Sequence, residues 1–173
     1  MSHNQPVRLD RVFQRYNPPF FFVTFCTARR RKILANIRAH SAFIDYGKRA
    51  LDHNVAVGRY VIMPDHIHLF VAGDHEFDLG IWVRGLKRVV AAAVTGGRHG
   101  KDSAAETAAA TTSSTVEKSQ PFWQRGFFDH LIRNTESYAQ KWDYVRENPV
   151  RAGLVSRRED WPFQGEIVEI DHA

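Results

Sequence analysis

A chain of 173 residues, 43% hydrophobic and 25% charged, is long enough for one domain around one core and too short for two ordinary ones. These proportions exclude a wholly disordered chain and a membrane protein. A net charge of +5, a sequence pI near 9.6 and nine histidines favour a polyanionic partner without naming one. Cys26 has no second cysteine to pair with and reads as a small core residue. No apolar run reaches transmembrane length, and Met1 to Arg11 lacks the apolar middle of a signal peptide, so a cytoplasmic location is expected.

Phe20 to Thr27 is aromatic and β-branched after a Pro-Pro turn, which predicts a strand buried on at least one face. It runs into the basic cluster Arg29-Arg30-Arg31-Lys32. Ala35 to Asn54 carries Ile37, Phe43, Ile44 and Leu51 at helical spacing. Val55 to Met63 and His66 to Ala72 then form a hairpin joined around Pro64-Asp65. Leu79 to Val94 is a second helix, with Arg84, Lys87 and Arg88 turned away from its apolar face. Residues 96–119 are Gly, Ala, Ser and Thr with isolated charges and no apolar period, so this stretch reads as a flexible insertion. Phe127 to Arg133 returns as a strand. Thr135 to Asn148 is a helix capped by Asn134 or Thr135 and ended by Pro149. The order β, α, β, β, α, β, α suggests an α+β fold, an antiparallel sheet with helices packed on one face, as in ferredoxin-like and RNA-recognition (RRM-like) folds.

Two stretches carry chemistry. In Tyr60-Val61-Ile62-Met63-Pro64-Asp65-His66-Ile67-His68-Leu69-Phe70, strand geometry sends His66 and His68 to one side and Ile67 into the core, an arrangement suited to one metal ion. The competing reading is two solvated histidines on a polar strand face. In Lys141 to Val155, Tyr144 and Asn148 stand four apart on the predicted helix, presenting a phenol and a carboxamide side by side. Here the competing reading makes Asn148 a C-terminal cap and Tyr144 a core aromatic. Asp65 either orients an imidazole or holds a turn, and His130 is a structural histidine. Trp123 and Arg125 either stack on an unpaired base or, for Trp123, close the core.

Met63-Pro64-Asp65-His66-Ile67-His68 and Asp143-Tyr144-Val145-Arg146-Glu147-Asn148-Pro149-Val150-Arg151-Ala152-Gly153-Leu154, with Phe122-Trp123-Gln124-Arg125-Gly126-Phe127-Phe128-Asp129-His130-Leu131-Ile132-Arg133 between them, resemble the single-tyrosine HUH transposases, specifically the REP-associated tyrosine transposases of bacteria. The likeness spans about Phe20 to Phe163. It implies an HUH endonuclease fold and a DNA strand transferase that nicks and rejoins single-stranded DNA near hairpin-forming repeats. In that scheme Tyr144 is the nucleophile and becomes linked to a 5′ phosphate. His66, His68 and Asn148 hold a divalent metal, Mg²⁺ or Mn²⁺ by the donor set, although imidazole also admits zinc. Arg84, Lys87, Arg88, Trp123, Arg125, Arg133 and Arg151 contact single-stranded or hairpin DNA, and the protein acts as a monomer rather than a homodimer. The insertion at 96–119 departs from the family pattern and leaves the placement of the fourth strand open. Two other functions compete with the strand transferase: a non-catalytic binder of hairpin nucleic acid, and a metal-dependent nuclease that uses water, with Tyr144 structural.

Overall fold

The computed structural model describes residues 7–8, 18–97 and 120–170. The strands are β1 (Val7–Arg8), β2 (Phe20–Cys26), β3 (Val55–Ile62), β4 (His66–Gly73), β5 (Phe128–Leu131), β6 (Gln164–Glu166) and β7 (Val168–Glu169). The helices are α1 (Ile37–Ala50), α2 (Leu79–Thr95), α3 (Thr135–Arg146) and the single turn α4 (Asn148–Arg151). Most of the segment expected to be a flexible insertion, from residue 98 to 119, lies outside the described residues, as do residues 1–6 and 9–17.

Five strands form an antiparallel sheet in the order β5-β2-β4-β3-β6, while β1 and β7 pair separately in parallel. The hairpin expected around Pro64-Asp65 is present, and it puts β4 between β2 and β3 at the centre. Alternation along β4 sends Ile67, Leu69 and Val71 to one face and His66, His68, Phe70 and Ala72 to the other. A bulge in β3 between Val57 and Tyr60 keeps both of those side chains on the first face. Gly58 in that bulge has little room: a Cβ there would lie 2.9 Å from Ile170 Cδ1.

Helices α1 and α2 cover the first face, as the sequence pattern indicates, through Ala39, Phe43, Val83, Leu86 and Val90 packed on Val23, Phe25 and Leu69. Each starts at a side-chain cap: Asn36 accepts from Ala39 N at 3.0 Å and Asp78 from Ile81 N at 2.8 Å. The opposite face is not bare. Helix α3 lays Tyr138, Trp142 and Val145, an i, i+4, i+7 stripe, against Phe20, Phe22 and Phe70. Trp161, Val168 and Ile170 from the C-terminal segment complete this second core, and the Trp161 indole donates to Ile62 O at 3.0 Å. Arg59, brought to this side by the bulge, lies 5.5 Å from both the Tyr138 and Trp142 ring centres and donates to Glu166 Oε1 at 3.2 Å.

One boundary differs from the sequence reading in a way that matters. The helix bearing Tyr144 stops at Arg146 rather than at Asn148, and Asn148 opens α4 with Pro149 in its first turn. Proline is tolerated at a helix start, where its missing N–H has no partner to lose. The residue therefore begins a new turn here instead of merely ending the old one.

Phe70 is fully buried and meets Phe20, Phe22, Tyr138 and Trp142. Phe70→Ala should cost about 3–5 kcal/mol, the usual range for emptying a buried aromatic site, read as a lowered urea midpoint. A loss near zero would mean that α3 does not pack on the sheet as described.

Candidate functional site

The two histidines of β4 project from the α3 face with ring centres 4.7 Å apart and planes perpendicular. His66 Nδ1 lies 2.6 Å from Asp65 Oδ1, so it donates to that carboxylate and keeps Nε2 as its acceptor. Of the two roles considered for it, Asp65 takes the orienting one. Its carboxylate fixes the His66 ring while its carbonyl accepts from Thr27 N at 2.9 Å. Arg30 holds the same carboxylate, Nε to Oδ2 at 2.8 Å. Arg29 and Arg30 adopt left-handed backbone conformations at φ 56° and 55°, which costs non-glycine residues energy. The basic run after β2 gave no hint that Arg30 would serve the histidines.

His68 is only 9% exposed. Its ring stacks on Phe22 at 5.6 Å and 13°, its Nδ1 meets Thr24 Oγ1 at 2.8 Å, and its Nε2 meets Asn148 Nδ2 at 3.0 Å. An amide nitrogen only donates, so Nε2 is the acceptor and Nδ1 carries the proton toward Thr24. Burial is the main cause that pushes the His68 pKa down to about 3, with the charges of His66, Arg30 and Arg151 acting in the same direction. Burial also lowers His66, against the opposing pull of Asp65. Both imidazoles are thus neutral at pH 7 and present Nε2 as the acceptor nitrogen.

Tyr144 is 64% exposed, near the end of α3, so the core-aromatic alternative fails for it. The Arg151 guanidinium lies over its ring at 4.0 Å, donates to the Tyr144 carbonyl at 2.5 Å, and donates also to Asn148 Oδ1. The capping alternative for Asn148 is also replaced, since its side chain reaches His68 and Arg151. Tyr144, Arg151, Asn148, His68 and Thr24 therefore form one unbroken series of contacts linking four elements, α3, α4, β4 and β2. Although the helix break removes the simple i, i+4 relation, the turn of α4 still brings the carboxamide to the imidazole.

The residues expected to contact DNA divide between the two sides. Arg133 is exposed where β5 meets α3, and Arg125 is exposed in the turn before β5. Arg84 and Arg88 line a cleft of about 730 Å³ between α1 and α2, with Tyr46, Arg49, His53 and Trp82, on the face away from the histidines. Lys87 donates to Gln124 O and Gly126 O at 3.0 and 2.7 Å. Trp123 packs edge-on against Phe25 at 5.0 Å and donates to Lys87 O at 2.8 Å. These two tie the chain after the undescribed stretch to α2, and Trp123 closes the first core as its alternative reading held.

Among the described residues no group of three or more His, Cys, Asp or Glu side chains is placed to hold a metal ion. The Asn148 carboxamide adjoins the histidine pair, with its Nδ2 3.0 Å from His68 Nε2. Two imidazole nitrogens and a carboxamide oxygen would as a donor set suit a divalent cation, but in this structure the carboxamide turns its nitrogen to His68 and its oxygen to Arg151.

Residues 21–148 match the family model described as transposase, IS200 like. The chain belongs to this family. A REP-associated tyrosine transposase of Escherichia coli is 49% identical over 41 residues, 24% of this chain and 25% of its own length. An uncharacterised protein of Haemophilus influenzae is 24% identical over 166 residues, covering 87% of this chain and 90% of that one. Among solved structures, a REP-associated tyrosine transposase bound to a REP hairpin superposes with a TM-score of 0.60 at 24% identity, over 95% of this chain and 82% of its own. That likeness carries the α+β sheet architecture. No helix among the described residues is long and apolar enough to cross a membrane.

The buried imidazole makes stability depend on pH in a defined direction. The unfolded chain takes up a proton at His68 near its ordinary 6.5 whereas the folded state resists until about 3, so stability falls as pH drops through this window. Urea midpoints measured from pH 7 to 5 should decline less steeply in His68→Gln than in the parent chain. Equal slopes would mean that the folded state carries His68 charged.

Proposed function

We propose that this IS200-like transposase cleaves and rejoins single-stranded DNA beside hairpin-forming repeats, with Tyr144 as the covalent nucleophile. The observation that carries the reading is the contact series from the exposed Tyr144 through Arg151 and Asn148 to the buried neutral His68. A DNA-binding module has no need to tie a surface phenol to a paired imidazole site. The REP hairpin bound by the solved relative supports a hairpin substrate.

In this scheme Tyr144 Oη attacks the scissile phosphorus, the bond from phosphorus to the 3′ oxygen breaks, and the 3′ oxygen leaves to take up a proton. The phenolic proton passes to solvent, and the strand downstream of the nick remains bound to Tyr144 through its 5′ phosphate. Rejoining is the reverse, with a 3′ hydroxyl displacing the tyrosine. His66, His68 and Asn148 are the residues that would hold a divalent cation, which when bound draws charge from a non-bridging phosphate oxygen. Asp65 and Thr24 orient the two imidazoles so that both acceptor nitrogens face the substrate side. Exposure of Tyr144 lets its ring reach a phosphate without displacing core side chains. Arg84 and Arg88 on one face and Arg133 and Arg151 on the other suit a DNA path that rounds the β5 edge of the sheet, where Arg125 also stands.

Tyr144→Phe should abolish cleavage of a hairpin-bearing single strand while its affinity for that strand stays unchanged, because only the reacting oxygen is removed. With the parent chain and Mn²⁺, a 3′-labelled oligonucleotide should migrate with the protein after denaturation. Cleavage that survives in the Phe variant without adduct would assign the chemistry to water instead. For the basic groups, Arg84→Ala combined with Arg88→Ala should weaken hairpin binding and lower the slope of log affinity against log salt by roughly 1.4–1.8, two phosphate contacts' worth. An unaltered slope would remove the α2 cleft from the DNA path.

A further inference from the structure

Arg151 grips both the Tyr144 ring and the carboxamide at the histidine pair. A guanidinium donates and never accepts, so it fixes the Asn148 oxygen toward itself. The amide nitrogen is then left facing His68, where it occupies the Nε2 lone pair at 3.0 Å. In this orientation the carboxamide covers the very atom that a cation would take. Turning its oxygen toward the histidines would set amide N–H groups against guanidinium N–H groups, donor against donor. The grip of Arg151 on Asn148 and the use of that oxygen as a metal ligand therefore exclude one another.

The nearby carboxylates are committed elsewhere, Asp143 to Arg146 at 2.5 Å and Glu147 to Arg158 at 2.6 Å. Arg151 is exposed, and its partners among the described residues are neutral groups: two carbonyl oxygens and a π face. A DNA phosphate offers a charge-assisted, bidentate partner that outcompetes these.

We infer that Arg151 is a latch. Without DNA it holds Asn148 turned the wrong way and Tyr144 against its own guanidinium. A phosphate that captures Arg151 releases both at once, opening the metal site as the nucleophile becomes free. This rests on the reading that His66, His68 and Asn148 form the metal site, and it adds that DNA and metal bind cooperatively. Linkage makes the effect reciprocal, with each ligand tightening the other by the same factor.

The test is calorimetric titration of the intact chain with Mn²⁺, alone and with a hairpin-bearing single strand, using the parent, Arg151→Ala and His66→Ala proteins. In the parent, DNA should tighten Mn²⁺ binding by about five-fold or more, the low end of ordinary coupling. Arg151→Ala should bind Mn²⁺ without DNA about as tightly as the parent does with it, and the coupling should vanish. A residue that merely supported the structure would lower metal affinity when removed. Loss of a like charge also raises cation affinity, but that contribution is screened at 0.5 M salt, where the Debye length is about 4 Å. The gain in Arg151→Ala should persist there. A gain that disappears at high salt, or an Arg151→Ala affinity equal to the parent's, overturns the latch. Mn²⁺ binding that is unaltered in His66→Ala overturns the metal-site reading itself, and absence of Mn²⁺ binding in every protein with and without DNA overturns both.

Discussion

The central position of β4 constrains everything else in the molecule. Hydrogen-bonded to β2 on one side and β3 on the other, it cannot slip by one residue without turning Ile67, Leu69 and Val71 out of one core and driving His66 and His68 into it. Two ladders and a packed apolar face together fix the direction of the imidazoles more firmly than any local contact could. The bulge in β3 serves the same end, because it lets Tyr60 stay in the first core while Arg59 crosses to the second. The histidines are therefore mounted on the central strand of the sheet, and the other members of the site come from the periphery.

That periphery is α3 and α4. The stripe of Tyr138, Trp142 and Val145 holds the body of α3 against the sheet, whereas Tyr144 and Arg151 stand outside it in solvent. Packing energy thus sets where α3 lies, and comparatively weak polar and cation–π contacts set how Tyr144, Asn148 and Arg151 are turned. Burial governs position in this part of the molecule, and weaker contacts govern orientation.

Much of this was legible in the residues themselves. Alternation revealed the hairpin and the shared direction of His66 and His68, and helical spacing revealed α1 and α2, since each pattern reports burial on one face. Less visible were β6 and β7, which are two or three residues long and too short for any period to show. The helix break at Arg146 was hidden because proline marks an end and a beginning equally well. Trp123 and Lys87 look like nucleic-acid contacts by type, yet their partners are backbone carbonyls and core rings that lie far away in sequence. The orientation of the Asn148 carboxamide depends on Arg151 and His68 together, and no linear pattern encodes such a three-body arrangement.

The separation of the two cores by a single layer of strands has a consequence for how such a chain diverges. Substitutions under α1 and α2 alter stability but lie behind the sheet from the histidines, so they can accumulate and be compensated without disturbing the chemistry. Along β4, by contrast, neighbouring codons answer to different demands: one residue to volume, the next to donor geometry. Related chains should therefore drift apart with a two-residue rhythm on this strand, loosely at Ile67, Leu69 and Val71 and hardly at all at His66 and His68.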